Sequence, residues 1–200
     1  MKKNKVIIFI LGAMSFTVSQ VFLRMPLLNF LMKTSQFNLL QVLYPLVFGI
    51  GIAFSAGLFE ESFRFIFKNY LLRPDRTSIS EPIIFGLGHG LTEAVILLGP
   101  YLTSVAIEDL TFAILERVFA ITIHVGLSVV VWNGFQKDKK IKYLLLAIII
   151  HGATNSLIPI MIIFVNSILW IEAALGLVAI IMITYVLRSK RLYIQEEEKI

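Results

Sequence analysis

Apolar residues dominate the sequence in six long runs that are separated by short polar segments. The runs cover residues 6–23, 40–66, 82–99, 112–135, 142–164 and 168–187. A helix that crosses a bilayer needs about 20 mainly apolar residues, and these runs are close to that length. The pattern therefore predicts an all-α fold, a polytopic membrane helix bundle with about six transmembrane helices.

Composition supports a membrane protein and narrows its class. The chain is 58% hydrophobic and 16% charged, whereas soluble domains are usually about 25% charged. The 200 residues predict a single integral-membrane domain over 1–200, in a multi-pass protein of the cell membrane, bacterial by type. There is no cysteine, which excludes disulfides and thiolate metal sites.

Basic residues are distributed unevenly between the segments that flank the runs. With the N-terminus inside, fourteen of the eighteen Lys and Arg residues fall in cytoplasmic segments, and Arg24 and Lys33 fall in outer ones. This asymmetry predicts that both termini are cytoplasmic. Topology thus explains the net charge of +5, and we expect no nucleic-acid partner. The cytoplasmic set is Lys2, Lys3, Lys5, Lys68, Arg73, Arg76, Lys137, Lys139, Lys140, Lys142, Arg188, Lys190, Arg191 and Lys199. Segment 24–38 is predicted to lie along the outer interface.

Ionisable side chains within the runs need an explanation, because inserting each one costs about 2.5–3.5 kcal/mol. They are Glu60, Glu61, Arg64, His89, Glu93, Arg117, His124 and His151. A structural interpretation pairs Glu60 with Arg64 at i,i+4 at a helix end and lets each histidine bond a neighbouring helix. Ionisable groups are rare at membrane depth and are usually functional, so the whole set favours a site.

Spacing brings several of these residues onto common helix faces. His89 and Glu93 are four residues apart, as are His151 and Asn155, and residues i and i+4 share a face. The two side chains of each pair therefore point to the same side of their helix. Glu93 and Arg117 are expected to be partners across the bundle.

Depth in the membrane gives a second reason to group these positions. At a rise of 1.5 Å per residue, Glu60, His89 and His151 each lie about 12–14 Å from the cytoplasmic end of their helix, and His124 lies deeper, at about 20 Å. Glycine, alanine and serine residues surround them, and small residues let helix backbones approach closely. We expect the three helices to converge on one site.

A carboxylate, imidazoles and an amide in a shielded pocket suit hydrolysis. A glutamate can act as general base toward water, and His and Asn side chains can stabilise the oxyanion that forms on a scissile carbonyl. Alternatively, Glu60, His89, His124 and His151 are candidate ligands for zinc, which would acidify the water itself. The HExxH pattern of common zinc proteases is absent.

Three motifs, taken in their order along the chain, resemble those of a known family. They are Glu60-Glu61-x-x-Arg64, Phe85-x-x-x-His89 and His151-x-x-x-Asn155. In this order on three membrane helices, they resemble the CAAX-protease and bacteriocin-processing superfamily of intramembrane proteases. The chain is most similar to the bacterial YhfC-like intramembrane metalloproteases, with a protease-like core at about residues 40–165.

The resemblance implies that a glutamate activates water while His89, His151 and Asn155 bind the water or the oxyanion. It also implies a catalytic chamber that faces the cytoplasm. The superfamily pattern is EExxxR, and here the arginine is one residue nearer to the glutamates. Both Glu60 and Glu61 therefore stay candidates for the base, with Glu60 preferred. Arg64, Glu93, Arg117 and His124 are assigned supporting roles.

These inferences lead to one functional hypothesis and three alternatives. The hypothesis is an intramembrane endopeptidase that cleaves a peptide or a membrane-protein segment near the cytoplasmic face, with the lipid bilayer and that substrate as its partners. One alternative is a proton- or ion-coupled carrier, because Glu and His chains also serve as proton relays. A second is an immunity or interaction protein on the protease scaffold, and a third is a purely structural bundle.

Overall fold

Six long helices account for most of the structure, a computed structural model that describes residues 4–73 and 77–193. Each is long and apolar enough to cross a membrane, so the predicted multi-pass helix bundle is confirmed. The long helices are α1 (Lys5–Leu31), α3 (Pro45–Leu71), α4 (Ser80–Leu98), α5 (Ile107–Gln136), α6 (Lys140–Phe164) and α7 (Ile168–Leu192). A short helix, α2 (Ser35–Leu43), precedes α3. Of the predicted cytoplasmic charges, Lys2, Lys3, Arg76 and Lys199 lie outside the described residues.

Two boundaries differ from the sequence prediction. Helix α1 continues to Leu31, so residues 24–31 extend the first long helix, which was predicted to end at residue 23, and the position of 24–38 along the outer interface stays a prediction. The second span begins at Pro45 rather than at residue 40, because Tyr44 leaves the helical conformation (φ −133°, ψ 58°). A residue before proline is sterically disfavoured in the helical region, which explains the break between α2 and α3.

The second span also ends later than predicted and includes a lysine. Helix α3 continues to Leu71, and Lys68 is only 1% exposed. Its Nζ lies 3.0 Å from Oε1 of Glu81 on α4, and Trp132 of α5 donates to the same oxygen at 3.0 Å. Lys68 is therefore a buried link between three helices and not the loop charge predicted from the sequence.

Successive long helices alternate in direction. Along the successive helices α4 and α5, Gly86 lies against Val125 and Gly90 lies against Ile121, which is an antiparallel arrangement. Six alternating spans place Lys5 and Leu192 at the same end of the bundle. We call this the terminal end and the opposite one, where α2 lies, the distal end. Which end faces the cytoplasm stays a prediction from the charge asymmetry.

Glycines bring the helices that carry the polar residues unusually close together. A Cβ on Gly12 of α1 would lie 2.1 Å from the carbonyl oxygen of Phe85 on α4, and a Cβ on Gly88 would lie 2.1 Å from that of Phe9. On the other side of α4, a Cβ on Gly86 would lie 2.6 Å from Cα of Val125 on α5. Helix α4, and with it His89, is thus held in backbone contact on two sides.

Candidate active site

Glu60 lies at the centre of the polar cluster. Its carboxylate is on α3, and the residue is 4% exposed. His89 Nε2 from α4 lies 2.9 Å from Glu60 Oε2, and Gln20 Nε2 from α1 donates to Oε1 at 2.5 Å. Side chains from three helices therefore meet at this one carboxylate, with both of its oxygens engaged.

Two further histidines face the same carboxylate. His124 Nδ1 from α5 and His151 Nε2 from α6 each lie 3.9 Å from Glu60 Oε2. The ring centroids of His124 and His151 are 5.3 Å apart, and those of His124 and His89 are 4.7 Å apart. The predicted convergence of Glu60, His89 and His151 is present, and His124 is a full member of the cluster.

Each of the two histidines that face Glu60 also contacts a carboxylate of its own. Glu61 Oε1 lies 2.8 Å from His151 Nδ1, and Glu93 Oε2 lies 2.5 Å from His124 Nε2. A carboxylate accepts the N–H of a neutral imidazole, which leaves the other ring nitrogen with a lone pair. By this assignment the lone pairs of His151 Nε2 and His124 Nδ1 face Glu60.

Arg64 supports the same tautomer of His124. Its Nη2 lies 3.2 Å from His124 Nδ1, and a guanidinium can only donate, so Nδ1 accepts and the proton is on Nε2. Arg64 Nε also lies 3.0 Å from Glu61 Oε2, and Nη1 donates to the carbonyl of His124 at 2.7 Å and to Ser128. Arg64 pairs with Glu61 at i,i+3, so the predicted pair with Glu60 is wrong.

The predicted partnership of Glu93 and Arg117 is confirmed. Arg117 Nη1 donates to Glu93 Oε1 at 2.9 Å, and its Nη2 contacts Glu116. Glu93 thus bonds Arg117 through one oxygen and His124 through the other. Arg117 acts on the cluster through Glu93, which it holds against His124.

A cavity of about 470 Å³ ends at this cluster. Among the residues predicted for the site, those that line it are Glu60, Glu93, Arg117, His124, His151 and Asn155. Glu61, Arg64 and His89 contact these residues but are outside the lining. Asn155 lies one turn beyond His151 on the same face of α6, as its spacing predicted.

The cavity extends from the cluster toward the distal end. Its outer lining includes Met25 of α1, Leu97 of α4 and Ile162 of α6, which are all exposed and lie in the distal parts of their helices. Toward the terminal end, the buried Arg64 lies over His124. The resemblance implied a chamber that faces the cytoplasm, and the charge asymmetry predicted cytoplasmic termini. Because the Arg64 guanidinium fills the side toward the termini and the cavity opens at the other end, these two predictions do not hold together.

Two residues of the site were absent from the sequence prediction. Gln20 donates to Glu60, and Arg24 donates to Gln20 Oε1 at 2.9 Å; both line the cavity. They lie in Thr17–Arg24, a π-helical stretch of α1, and π-helical turns occur often at functional sites. The sequence did offer one signal for them, a spacing of four residues that places both side chains on one helix face.

The donor set fits a metal ion. Glu60, His124 and His151 offer one ligand atom each, all within 4.8 Å of one another. Two imidazoles and a carboxylate are a recognised zinc ligand set. A ligating histidine usually donates its other N–H to a carboxylate, as His151 does to Glu61 and His124 to Glu93. His89 is predicted as a further ligand, but its Nε2 bonds the Glu60 carboxylate.

Comparison with known proteins identifies a family for the chain. The sequence profile described as "YhfC intramembrane metalloprotease" matches residues 1–107 and 101–181. The chain belongs to this YhfC intramembrane metalloprotease family. It is also 22% identical over 226 residues, covering 93% of this chain and 85% of the relative, to a Bacillus subtilis (strain 168) protein described as "Uncharacterized membrane protein YhfC".

Membership of the YhfC family places the chain among multi-pass membrane proteins. The family description suggests a membrane protease that uses a metal, while the Bacillus relative is described only as an uncharacterized membrane protein. The wider likeness to the CAAX-protease superfamily stays a prediction. The roles of the individual site residues are likewise proposals, which rest on the contacts described above.

Proposed function

We propose that this YhfC-family protein is an intramembrane endopeptidase that hydrolyses a peptide or a membrane-protein segment. The observation that carries the proposal is the group of Glu60, His124 and His151, buried at the inner end of a cavity of about 470 Å³. The lipid bilayer and a peptide substrate would be its partners.

In this proposal, Glu60, His124 and His151 hold a divalent metal, for which zinc is the first candidate. Arg64 Nη2, which lies 3.2 Å from His124 Nδ1, would yield that nitrogen to the metal. A metal in such a site acidifies water and polarises the scissile carbonyl. The protein's own groups fix the ligands. Glu61 and Glu93 hold His151 and His124 in the required tautomers.

The surroundings of Glu60 favour it over Glu61 as the reactive carboxylate. Glu60 lines the cavity, while Glu61 is fully buried between Arg64 and His151. His89 and Gln20 hold the two oxygens of Glu60. In a mechanism without a metal, the same carboxylate would be the general base, and His89 the neighbouring group that shares its proton.

Asn155 is the proposed donor to the substrate. It lines the cavity one turn from His151, and its amide N–H groups can bond a carbonyl oxygen or the oxyanion formed from it. Changing Asn155 to Ala is therefore expected to lower kcat more than it raises KM.

The arrangement gives less support to the alternatives. A carrier needs its site to open in turn to both sides of the membrane, whereas Arg64 and Ser128 contact each other over His124 on the terminal side. A structural bundle has no need for a cavity with a reactive carboxylate at its inner end. Hydrolysis uses both the cavity and the carboxylate.

The test is to compare new N-termini in the membrane proteome of cells that produce the wild-type protein or its Glu60→Gln variant. Glu60→Gln keeps the shape of the side chain and removes its charge. Glu172→Gln is the matched control, since Glu172 is also buried in a span but does not line the cavity. We expect N-termini that disappear with Glu60→Gln and persist with Glu172→Gln. Identical N-termini with Glu60→Gln would refute an endopeptidase.

A further inference from the structure

Arg24 lies at the junction of two cavities. One is the cavity that ends at Glu60, and the other is an apolar cavity of about 490 Å³ under α2. Arg24 and Ile52 line both. The rest of the apolar lining includes Leu27, Leu28, Leu31, Phe37, Leu40, Val47 and Phe48. Arg24 is thus a cation between the candidate active site and a space suited to apolar side chains.

The hydrogen bonds of Arg24 all go to uncharged groups. Its guanidinium donates to Ser55 Oγ at 2.9 Å, to Gln20 Oε1 at 2.9 Å and to the carbonyl of Ile52 at 2.8 Å. Within residues 4–73 and 77–193, no carboxylate forms a salt bridge with it. Arg64 and Arg117, which are also buried or half-buried within the spans, differ because Arg64 pairs with Glu61 and Arg117 with Glu93.

A charged side chain within a membrane span usually has an ionic partner or marks a substrate pathway. Arg24 has no direct salt bridge in the described residues: its link to a carboxylate runs through Gln20 to Glu60, and it lines the path to the site. Guanidinium carries five N–H donors, and the three bonds above leave two of them for a ligand. Arginine binds carboxylates with two parallel hydrogen bonds, which makes a carboxylate the fitting occupant.

We propose that Arg24 binds a carboxylate of the peptide substrate and so sets which bond reaches Glu60. This inference rests on the proposed peptidase function. Gln20 and Arg24 are one helical turn apart, about 6 Å along α1, and Gln20 contacts Glu60. An extended peptide advances about 3.3 Å per residue, so the bound carboxylate lies about two or three residues from the scissile bond.

The test measures binding of three lauroyl tripeptides to the protein in lipid nanodiscs by isothermal titration calorimetry. Lauroyl-Ala-Ala-Glu-amide carries a side-chain carboxylate, lauroyl-Ala-Ala-Gln with a free C-terminus carries a terminal one, and lauroyl-Ala-Ala-Gln-amide carries none. We expect one carboxylate probe to bind about tenfold more tightly than the neutral probe, as a charge-assisted hydrogen bond would give. The probe that gains affinity identifies an internal acidic residue or a C-terminal carboxylate as the ligand.

Variants separate Arg24 from general attraction of anions to the membrane protein. Arg24→Gln should abolish the preference, and Arg24→Lys should retain part of it. Lys33→Gln is the matched control, because Lys33 is an exposed cation at the same end of the bundle, and the preference should be unchanged in it. Equal binding of all three probes to the wild-type protein overturns the proposal, as does a preference that persists in Arg24→Gln.

The binding assay does not depend on hydrolysis. A carboxylate preference that requires Arg24, together with unchanged N-termini in the Glu60→Gln comparison, would retain the anion site and reject the peptidase. Loss of N-termini with Glu60→Gln, together with equal binding of the three probes, would retain the peptidase and reject the role of Arg24.

Discussion

The crossing of α1 and α4 gives a sharp test of the packing that positions the site. We take Gly88→Ala as the perturbation. The added Cβ would lie 2.1 Å from the carbonyl oxygen of Phe9, whereas real Cβ contacts stay above 3.0 Å. The atom that it meets is backbone, so no side-chain rotation relieves the overlap and the two helices must separate by about 0.9 Å, the difference between these two distances.

The expected magnitude follows from two opposing terms. Alanine gains about 1 kcal/mol over glycine in a helix, and overpacking in a close-packed interior costs about 1–3 kcal/mol. Because the overlap is between backbones, we place Gly88→Ala near the upper limit of that cost, with a net loss of about 2 kcal/mol. Gly51→Ala is the matched control, since a Cβ there meets nothing within 4 Å, and it should be neutral or stabilised by up to about 1 kcal/mol.

The assay is equilibrium unfolding with sodium dodecyl sulfate in mixed micelles, followed by tryptophan fluorescence, to which the buried Trp132 contributes. Gly12→Ala makes the reciprocal overlap with Phe85. Separating the helices relieves both overlaps, so Gly12→Ala and Gly88→Ala together should cost less than their sum. Equal stability of Gly88→Ala and Gly51→Ala would refute the close crossing.

Three further predictions test the ligand supports, the buried lysine and the orientation. Glu61→Gln should lower zinc affinity about 10- to 100-fold, measured by competition with a chromophoric chelator; unchanged affinity would reject Glu61 as a support of His151. Lys68→Met should cost about 3–5 kcal/mol in the free energy of unfolding because it breaks the buried ion pair with Glu81, and adding Glu81→Gln should recover part of that loss in the same unfolding assay. In the cysteine-free chain, Lys33→Cys should react with a membrane-impermeant maleimide in intact cells and Lys139→Cys only after permeabilisation; the reverse result would place the terminal end outside.

The spans and the main polar cluster were predictable from the sequence for related reasons. Hydropathy depends only on composition over about 20 residues, so six helices were visible without tertiary information. The i,i+4 pair of His151 and Asn155, and the equal depth of His89 and Glu60, follow from helix geometry alone. Such regularities placed His89 and His151 near Glu60 before any contact was known.

Other features depend on contacts that no local pattern encodes. Arg24 was interpreted as a residue outside the membrane because a charge usually ends an apolar run. It remains inside α1 because Ser55, Gln20 and the carbonyl of Ile52 accept its hydrogen bonds. Lys68 remains inside α3 in the same way, through Glu81. Apart from Gln20, these partners are distant in sequence, so each span was predicted to end too early.

The end of the bundle at which the cavity opens was not predictable, for a different reason. Helical periodicity predicts the helix face on which a residue lies and its depth in the membrane. It does not predict whether side chains fill the space on the terminal side or on the distal side of that residue. Arg64 is long enough to lie over His124 from one turn of α3 beyond Glu60, and it closes the terminal side. The small residues Ala53 and Ala56 lie on the other side of Glu60 and line the cavity, so that side stays open.

Arg64 also gives the two adjacent glutamates different surroundings. Successive residues of a helix point about 100° apart, so Glu60 and Glu61 face different neighbours. Glu61 faces Arg64 three residues on and His151 across the interface, which leaves Glu60 to face the cavity. The same guanidinium contacts His124, and thus one residue contacts both His124 itself and Glu61, the carboxylate that holds His151. The EExxR spacing is compatible with this arrangement, because it places Arg64 at i+3 from Glu61 and at i+4 from Glu60, both within reach on a helix, and the guanidinium pairs with Glu61.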